Sequence, residues 1–330
     1  GDLKTGMLIF AIESSCDETA CAIVKDGREV ISNSVFSQIK THRKFGGVVP
    51  EVAAREHLES IGPVIKETFE QAGISPAQID AFASTAGPGL VGCLLVGLNA
   101  AKTLALVHNK PYIPVNHLQA HVCANFIDSD LKPPFICLLV SGGHTQVIYV
   151  KDFDNQTIVA STIDDAVGEV YDKVARLMGL PYPGGIMLDK LAQEGNPNAF
   201  KLPEAKVGED EFSFSGLKTA LLRLTQSFKD KEIPQKDICA SFQERVSDTL
   251  IKKTLNLADK YGCKTIVTAG GVAANSELRK KLFALNDRGY KTYAPAMKYC
   301  TDNAAMVGSC AYFNPIKCAN PLEMEVFSRA

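Results

Sequence analysis

The stretch MLIFAIESSCDETACAIVKDGREVISNSVFS (7–37) decides the fold. An apolar run ends at Glu13, a polar turn covers residues 14–19, and the apolar pattern resumes in ACAIV. Short apolar runs bounded by turn residues are typical of buried strands. The stretch therefore predicts three strands joined by turns.

The same arrangement returns in FICLLVSGGHTQVIYVKD (135–152), where a tight polar turn joins an apolar strand to a returning one. Two such units indicate a weak internal repeat. Helical patterns alternate with strands elsewhere, for example between Pro50, which suits a helix start, and Gly73, which suits a helix end. A long amphipathic helix is predicted over 238–262. This alternation predicts the α/β class rather than an all-α or all-β fold.

Composition is that of an ordinary globular protein. The 330 residues are 46% hydrophobic and 22% charged, with a net charge of −2, so no global basic field points to nucleic acid. Ten cysteines without a CxxC pair argue against a structural zinc site and predict a reducing, cytoplasmic compartment. No apolar run reaches the length of a membrane helix. We expect GDLKTG (1–6) to be a vector-derived remnant preceding Met7.

The segment NHLQAH (116–121) places His117 and His121 one helical turn apart, behind Asn116 as a candidate N-cap. Two imidazoles on one face can bind a metal ion but need a third ligand. No histidine follows residue 144, so a third ligand from the second half of the chain must be Asp, Glu or Cys, and Asp302 in CTDNAAM is a candidate at a helix start. Leu118 stands where a zincin has its general-base glutamate, so a metalloprotease would lack its base.

Three turns carry further candidate chemistry. The first hairpin carries three carboxylates, those of Glu13, Asp17 and Glu18. They belong either to a solvated turn or to a site that holds Mg²⁺ or water beside phosphates. The glycine turns VSGGHT (140–145) and TAGGVAAN (268–275) are ordinary turns or phosphate cradles. Taken together, the three turns favour a nucleotide site, in which Gly142 and Gly271 should tolerate no side chain.

Eight ordered motifs extend this interpretation, and they run from Met7 to the last helix: IESSCDET, GGVVPEVAAREH, STAGPGLVGCLLVG, NHLQAHV, LLVSGGHTQ, DDAVGEVYDKVARLMGLPYPGG, FSFSGLKTA and TAGGVAANSELR. They resemble the TsaD (Gcp/YgjD) family, bacterial relatives of the ATPase-like subunit of the KEOPS complex. The resemblance implies the actin/Hsp70/sugar-kinase (ASKHA) fold, with two ribonuclease-H-like domains and a nucleotide cleft between them. We expect a partner-binding N-terminal domain over 7–115 plus a C-terminal helix at about 305–325. A nucleotide- and metal-binding domain is expected over 116–304.

The resemblance also implies an activity, namely transfer of a threonylcarbamoyl group from threonylcarbamoyl-AMP to N6 of adenosine 37 in tRNAs reading ANN codons. It implies iron or zinc on His117, His121 and Asp302, and places Asp17 and Glu18 near the transferred group as candidate catalytic carboxylates. Gln119 and Ala120 depart from the commoner HxEGH pattern, but neither is a ligand. The implied contacts to threonylcarbamoyl-AMP, ATP or ADP are Leu139, Val140, Ser141, Gly142, Gly143, Asp172, Gly185, Asp189 and Asn275.

The expected partners are tRNA, a TsaB-like paralogue docked on the N-terminal domain, and a TsaE-like ATPase. The basic residues Lys40, Arg43 and Lys44 are predicted to lie in a flexible loop that contacts tRNA phosphates. Two rival functions remain at this point. A small-molecule kinase of the same superfamily would share the phosphate turns but would not need the histidine pair. An Hsp70-like nucleotide-dependent scaffold would not modify tRNA.

Overall fold

The computed structural model describes residues 6–229 and 231–329. The expected vector-derived remnant, apart from Gly6, lies outside the described residues. The chain divides into two compact units. The first holds the chain up to Lys132 and again from Pro295, and the second holds Pro133–Ala294.

The first unit is built on a five-stranded sheet. Its strands are β1 (Leu8–Glu13), β2 (Glu18–Lys25), β3 (Glu29–Ser37), β4 (Ala81–Gly87) and β5 (Tyr112–Asn116). The strand order is β3-β2-β1-β4-β5, with β1, β2 and β3 antiparallel and β1, β4 and β5 parallel. The three strands predicted for 7–37 are confirmed. All six residues of β1 are buried, as expected for a strand covered on both faces.

Four helices belong to the first part of this unit: α1 (Ile39–Arg43), α2 (Pro50–Ala72), α3 (Val91–Val107) and α4 (His117–Cys123). Helix α2 begins at Pro50 and ends at Gly73 in the left-handed conformation, with φ 66°, as the sequence predicted. The prediction of a flexible basic loop is wrong in part. Lys40 and Arg43 lie in α1, whose buried His42 anchors it, although Lys40, Arg43 and Lys44 are all exposed.

The second unit repeats the sheet. Its strands are β6 (Phe135–Val140), β7 (Thr145–Asp152), β8 (Asn155–Thr162), β9 (Glu211–Phe212), β10 (Thr265–Ala269) and β11 (Lys291–Tyr293). The order is β11-β10-β6-β7-β8-β9. Strands β6, β7 and β8 are antiparallel, whereas β6, β10 and β11 are parallel. Without the short β9, this is the pattern of the first sheet, so the predicted internal repeat is a repeat of topology.

Five helices surround this sheet: α5 (Val167–Leu177), α6 (Gly184–Gln193), α7 (Ser215–Ser227), α8 (Gln235–Lys260) and α9 (Ser276–Ala284). The predicted long helix is α8, which starts slightly earlier than its apolar pattern. One face of α8 supplies Ile238, Phe242, Val246 and Leu250 to the core. Such a helix fixes any polar residue on the same face in a buried position.

The chain then returns to the first unit through α10 (Met297–Cys300) and α11 (Ala304–Phe313). The last helix ends at Phe313 rather than near 325, because Pro315 cannot continue it. Helix α4 packs against α11, so the histidine helix and Asp302 belong to the first unit rather than to the second predicted domain. No helix in the described part of the chain is long and apolar enough to span a bilayer.

Candidate active site

The two histidines of α4 lie side by side at the end of β5. Asn116 caps the helix by accepting hydrogen bonds from the backbone N–H groups of Leu118 and Gln119, at 2.9 and 3.2 Å. The rings of His117 and His121 are edge to face, with centroids 4.7 Å apart. The spacing in the sequence therefore places both imidazoles on one face, as predicted.

Asp302 reaches the same place from the other end of the chain. It directly precedes Asn303, which caps α11 by accepting from the N–H of Met306. Asp302 Oδ1 lies 3.0 Å from His121 Nε2 and 3.5 Å from His117 Nε2. The structure thus brings the two histidines and the aspartate together, although 181 residues separate His121 from Asp302.

The donor set fits a metal ion. One ligand atom from each of His117, His121 and Asp302 lies within 4.8 Å of the others. Two imidazole nitrogens and one carboxylate oxygen suit zinc or non-haem iron and leave coordination positions open. The nitrogens that face Asp302 are Nε2 in both rings, so one ion could bind both histidines and the carboxylate.

Glu13 is a site residue that the sequence analysis assigned only to the acidic turn. Its carboxylate is fully buried at the end of β1. One oxygen accepts from the N–H of Ser15 at 2.7 Å, and the other accepts from the hydroxyl of Thr85 and lies 3.1 Å from His117 Nδ1. An ionised carboxylate is only an acceptor, so His117 donates from Nδ1 and presents Nε2 to Asp302. A carboxylate behind a ligand histidine is the usual arrangement in metal sites.

The charges of this cluster stabilise one another. Burial alone would lower the pKa of His117, but Glu13 and Asp302 outweigh it and raise that pKa to about 9. Burial opposes ionisation of Asp302, yet the charge of His117 and the hydrogen bond from His121 hold its pKa at about 2. The pKa of Glu13 is likewise lowered, because His117 overcomes the cost of burial. The cluster is therefore an anionic pocket that a cation would neutralise further.

The acidic turn lies beside this cluster. Glu18 is the first residue of β2, and burial, followed by the charges of Asp302 and Asp17, raises its pKa well above the usual range. The buried His57 of α2 holds the turn. Its Nε2 donates to the carbonyl of Cys16 at 2.7 Å, and its Nδ1 lies 2.7 Å from the hydroxyl of Thr19. Glu18 is thus close enough to Asp302 for their charges to interact, and the turn that carries Asp17 and Glu18 is held by a neighbouring helix.

The second unit carries the predicted glycine turn between β6 and β7. Leu139 and Val140 are buried in β6, and the N–H of Ser141 donates to the carbonyl of His144 at 2.8 Å, which closes the turn. A Cβ added at Gly142 or Gly143 would meet nothing within 4 Å. Space is therefore open above the backbone of this turn, as a bound phosphate would require.

The remaining predicted nucleotide residues lie on α5, α6 and the start of α9. Burial raises the pKa of Asp172, although Arg176 opposes this. Gly185 and Gly271 leave open space at their Cα atoms. The structure joins Asp189 and Asn275 through a residue that sequence reasoning missed, because Gln243 on α8 is hydrogen-bonded to both.

The fold and the site together define a class. Two sheets of matching order, each with a polar hairpin turn, indicate the actin/Hsp70/sugar-kinase fold, and the His–His–Asp cluster adds a feature that a simple kinase does not need. A solved structure of full-length HypF in a phosphate- and nucleotide-bound form matches with a TM-score of 0.62. The identity is 15%, over 94% of this chain and 47% of HypF, so the chain spans about half of that protein and the likeness shows the fold alone.

Sequence comparison identifies the family. The TsaD model, described as tRNA N6-adenosine threonylcarbamoyltransferase, matches residues 29–309. A relative of that name from Clostridium perfringens is 52% identical over 325 residues, covering 97% of this chain and 96% of the relative. Another from Nostoc punctiforme is 54% identical over 314 residues, covering 92% and 90%. The chain belongs to the TsaD family of tRNA N6-adenosine threonylcarbamoyltransferases, and it acts as a transferase in the formation of N6-threonylcarbamoyladenosine in tRNA.

Proposed function

We propose that the chain transfers the threonylcarbamoyl group from threonylcarbamoyl-AMP to N6 of adenosine 37 in tRNAs reading ANN codons. The observation that carries this proposal is the convergence of His117, His121 and Asp302 on one point, supported by Glu13 from behind. A small-molecule kinase or a scaffold of the same fold would not need these ligands, and family membership does not favour either.

The first unit would hold a metal ion on those three ligands. Iron and zinc both match two imidazoles and one carboxylate. When bound, such an ion supplies Lewis-acid polarisation of a carbonyl or phosphoryl oxygen. Glu13 fixes the ring of His117 through Nδ1, so that Nε2 stays available as a ligand.

The chemistry at the acidic turn concerns a proton. The donor is a mixed carbamic–phosphoric anhydride, and N6 of adenosine attacks its carbonyl carbon. The new N–C bond forms, the C–O bond to phosphate breaks, and AMP leaves while the amine loses a proton. We assign proton acceptance to Asp17 or Glu18. Burial and the charges of Asp302 and Asp17 raise the pKa of Glu18, so this carboxylate accepts a proton more readily than an exposed glutamate does.

The second unit would hold the nucleotide part of the donor, or ATP or ADP. We assign this binding to the turn 139–143 together with Asp172, Gly185, Asp189 and Asn275. The open space above Gly142 and Gly143 supports backbone contacts to phosphate oxygens. Mg²⁺ is a further candidate ion beside these phosphates.

Partners follow from surface features of the first unit. Leu58 on α2 is 66% exposed, and Val91 and Leu95 on the neighbouring α3 are also exposed. Helices α2 and α3 pack together, and we infer from these exposed side chains that the pair presents an apolar surface to a helical partner. We assign it to the TsaB-like paralogue, with a TsaE-like ATPase as a further component in the cytoplasm. The exposed Lys40, Arg43 and Lys44 remain candidates for contact with tRNA.

Metal content tests the assignment most simply. Purified His121→Ala is expected to lose the tightly bound iron or zinc that the parent chain retains. His57→Gln changes a buried histidine of the same unit outside the ligand set, and it should keep the metal. Stoichiometric metal in His121→Ala, measured by inductively coupled plasma mass spectrometry, would remove that residue from the site.

A further inference from the structure

A directed chain of hydrogen bonds passes through Gln243 in the second unit. The N–H of Leu278 donates to Asn275 Oδ1 at 3.0 Å, and Asn275 Nδ2 donates to Gln243 Oε1 at 2.8 Å. Gln243 Nε2 then donates to Asp189 Oδ1 at 2.9 Å. The same carboxylate accepts from the N–H and the hydroxyl of Ser276, at 3.0 and 2.6 Å. Each amide therefore has only one orientation that satisfies its neighbours.

Gln243 lies inside the protein, whereas its two partners border the proposed site. It is 3% exposed and sits on the buried face of α8, near Phe242 and Val246. Asp189 is partly exposed on α6, and Asn275 is 8% exposed at the start of α9. A buried amide between a carboxylate and a second amide can orient both groups without touching a ligand itself.

We propose that Gln243 is a positioning residue that orients Asp189 and Asn275 for the nucleotide, so that it determines affinity for adenine nucleotides. This inference rests on the proposed roles of Asp189 and Asn275. Asn275 already uses its oxygen to cap α9, which leaves its NH₂ group to be fixed by Gln243. Loss of Gln243 would leave that group without its buried acceptor and would remove one of the three hydrogen bonds to the Asp189 carboxylate, leaving the two from Ser276.

Two substitutions test whether Gln243 acts through its hydrogen bonds to Asp189 and Asn275 or only by filling space in the core. Gln243→Glu keeps the acceptor for Asn275 but places a second carboxyl against Asp189. Like charges at this distance cannot both ionise readily, so the pair shares one proton at low pH, and the protonated glutamic acid regains a donor toward Asp189. Gln243→Met keeps a similar volume and removes both hydrogen bonds at every pH.

Other titratable groups also lie near Gln243. The hydroxyl of Tyr171 on α5 lies 3.5 Å from Gln243 Oε1, and Asp189 is the facing group from α6. Glu277 on α9 and the thiol of Cys239 on α8 are further titratable groups that act, with Asp189, on Tyr171. Burial raises the pKa of Tyr171 far above neutrality, so the pair formed by Asp189 and the introduced glutamate is the group expected to titrate.

The experiment is calorimetric titration of the full chain with ADP at about pH 8 and about pH 6, with each variant expressed relative to the parent at the same pH. Gln243→Met should bind about 10- to 100-fold more weakly at both values, the range for losing a hydrogen bond to a charged group. Gln243→Glu should bind ADP as weakly as Gln243→Met at the higher pH. At the lower pH its affinity for ADP should return to within about threefold of that of the parent. Ser247→Ala, one turn further along α8, removes a buried hydrogen bond to the carbonyl of Gln243 and should bind ADP normally.

The outcomes distinguish a failure of the Gln243 role from a failure of the nucleotide site. Parent-like affinity in Gln243→Met, or a Gln243→Glu variant that stays equally weak at both pH values, overturns the positioning role. Since the two pH values are compared within one protein, a moderate loss of stability does not hide the result. Parent-like affinity in both Asp189→Ala and Asn275→Ala would instead overturn the proposed nucleotide site, whatever Gln243 does.

Discussion

The Glu13→Gln substitution tests whether the buried carboxylate behind His117 supports a metal ligand. Glu13 accepts from the N–H of Ser15, the hydroxyl of Thr85 and His117 Nδ1. A glutamine has only one carbonyl oxygen for these three donors. Its NH₂ group must therefore face either Ser15 or the pair formed by Thr85 and His117, and a donor then meets a donor.

The magnitude follows from the lost charge and the mismatched hydrogen bond. A hydrogen bond to a charged group contributes about 1.5–3 kcal/mol, against about 0.5–1.5 kcal/mol for a neutral one. Removing an outer partner of a ligand histidine typically lowers metal affinity about 10- to 100-fold. That range corresponds to about 1.4–2.7 kcal/mol, which agrees with the hydrogen-bond figures. We expect Glu13→Gln to weaken metal binding within this range.

The assay is competition for zinc or iron with a chromophoric chelator. Ser14→Ala is the matched control, because Ser14 is the adjacent buried residue and donates to the carbonyl of Cys93 rather than toward the metal ligands. The control should lower the melting temperature and leave metal affinity unchanged. Parent affinity in Glu13→Gln would refute the role assigned to this carboxylate.

Three further predictions concern binding, acid stability and tRNA. Gly142→Val should weaken adenylate binding with little change in melting temperature, since a Cβ there meets nothing within 4 Å. Gly270→Ala, by contrast, should lower the melting temperature, because its φ is +91° and a Cβ would lie 2.3 Å from the backbone oxygen of Val140. Burial opposes ionisation of Asp164, but hydrogen bonds from the start of α7 lower its pKa. Asp164→Asn should therefore destabilise the protein above the usual carboxyl pKa, and the difference should vanish as the pH falls through the lowered pKa. Arg43→Ala with Lys44→Ala should reduce the salt dependence of tRNA binding and spare adenylate binding.

Each of these has a clear contrary result. Calorimetry that finds parent affinity for the adenylate in Gly142→Val would count against the phosphate turn. Urea titrations that give equal stability for the Asp164 variant and the parent near neutral pH would show that solvent screens the carboxyl completely. An unchanged salt slope in the double variant, measured by filter binding, would remove this basic segment from the tRNA surface.

Local signals were sufficient for much of the fold. Proline and glycine marked both ends of α2, and the apolar runs around the two hairpins predicted β1, β2 and β3 of the first sheet and β6 and β7 of the second. The C-terminal helix expected at about 305–325 from the family resemblance ends at Phe313, because Pro315 cannot continue it. The assignment of α4 to the first unit depends on packing against α11, and no local pattern encodes a contact between segments that distant.

Some residues of the site could likewise be predicted from local sequence, and others could not. The four-residue spacing of His117 and His121 predicted both histidines as ligands, and the position of Asp302 at a helix start predicted the third. Glu13 reads as the last residue of a strand, and only the tertiary structure shows that its carboxylate faces His117. Gln243 reads as one polar residue in a long helix, and its role appears only when α6 and α9 are placed against α8. Residues that act by positioning other residues do not form a local sequence pattern from which their role could be predicted.

We propose that His117, His121 and Asp302 form the metal centre at which the threonylcarbamoyl group is transferred to tRNA. The most direct measurement is mass spectrometry of tRNA nucleosides after incubation with threonylcarbamoyl-AMP, the partner proteins and either the parent chain or Asp302→Ala. We predict N6-threonylcarbamoyladenosine with the parent, and none above background with the variant at an unchanged melting temperature. Equal amounts of the modified nucleoside with both proteins would contradict the account.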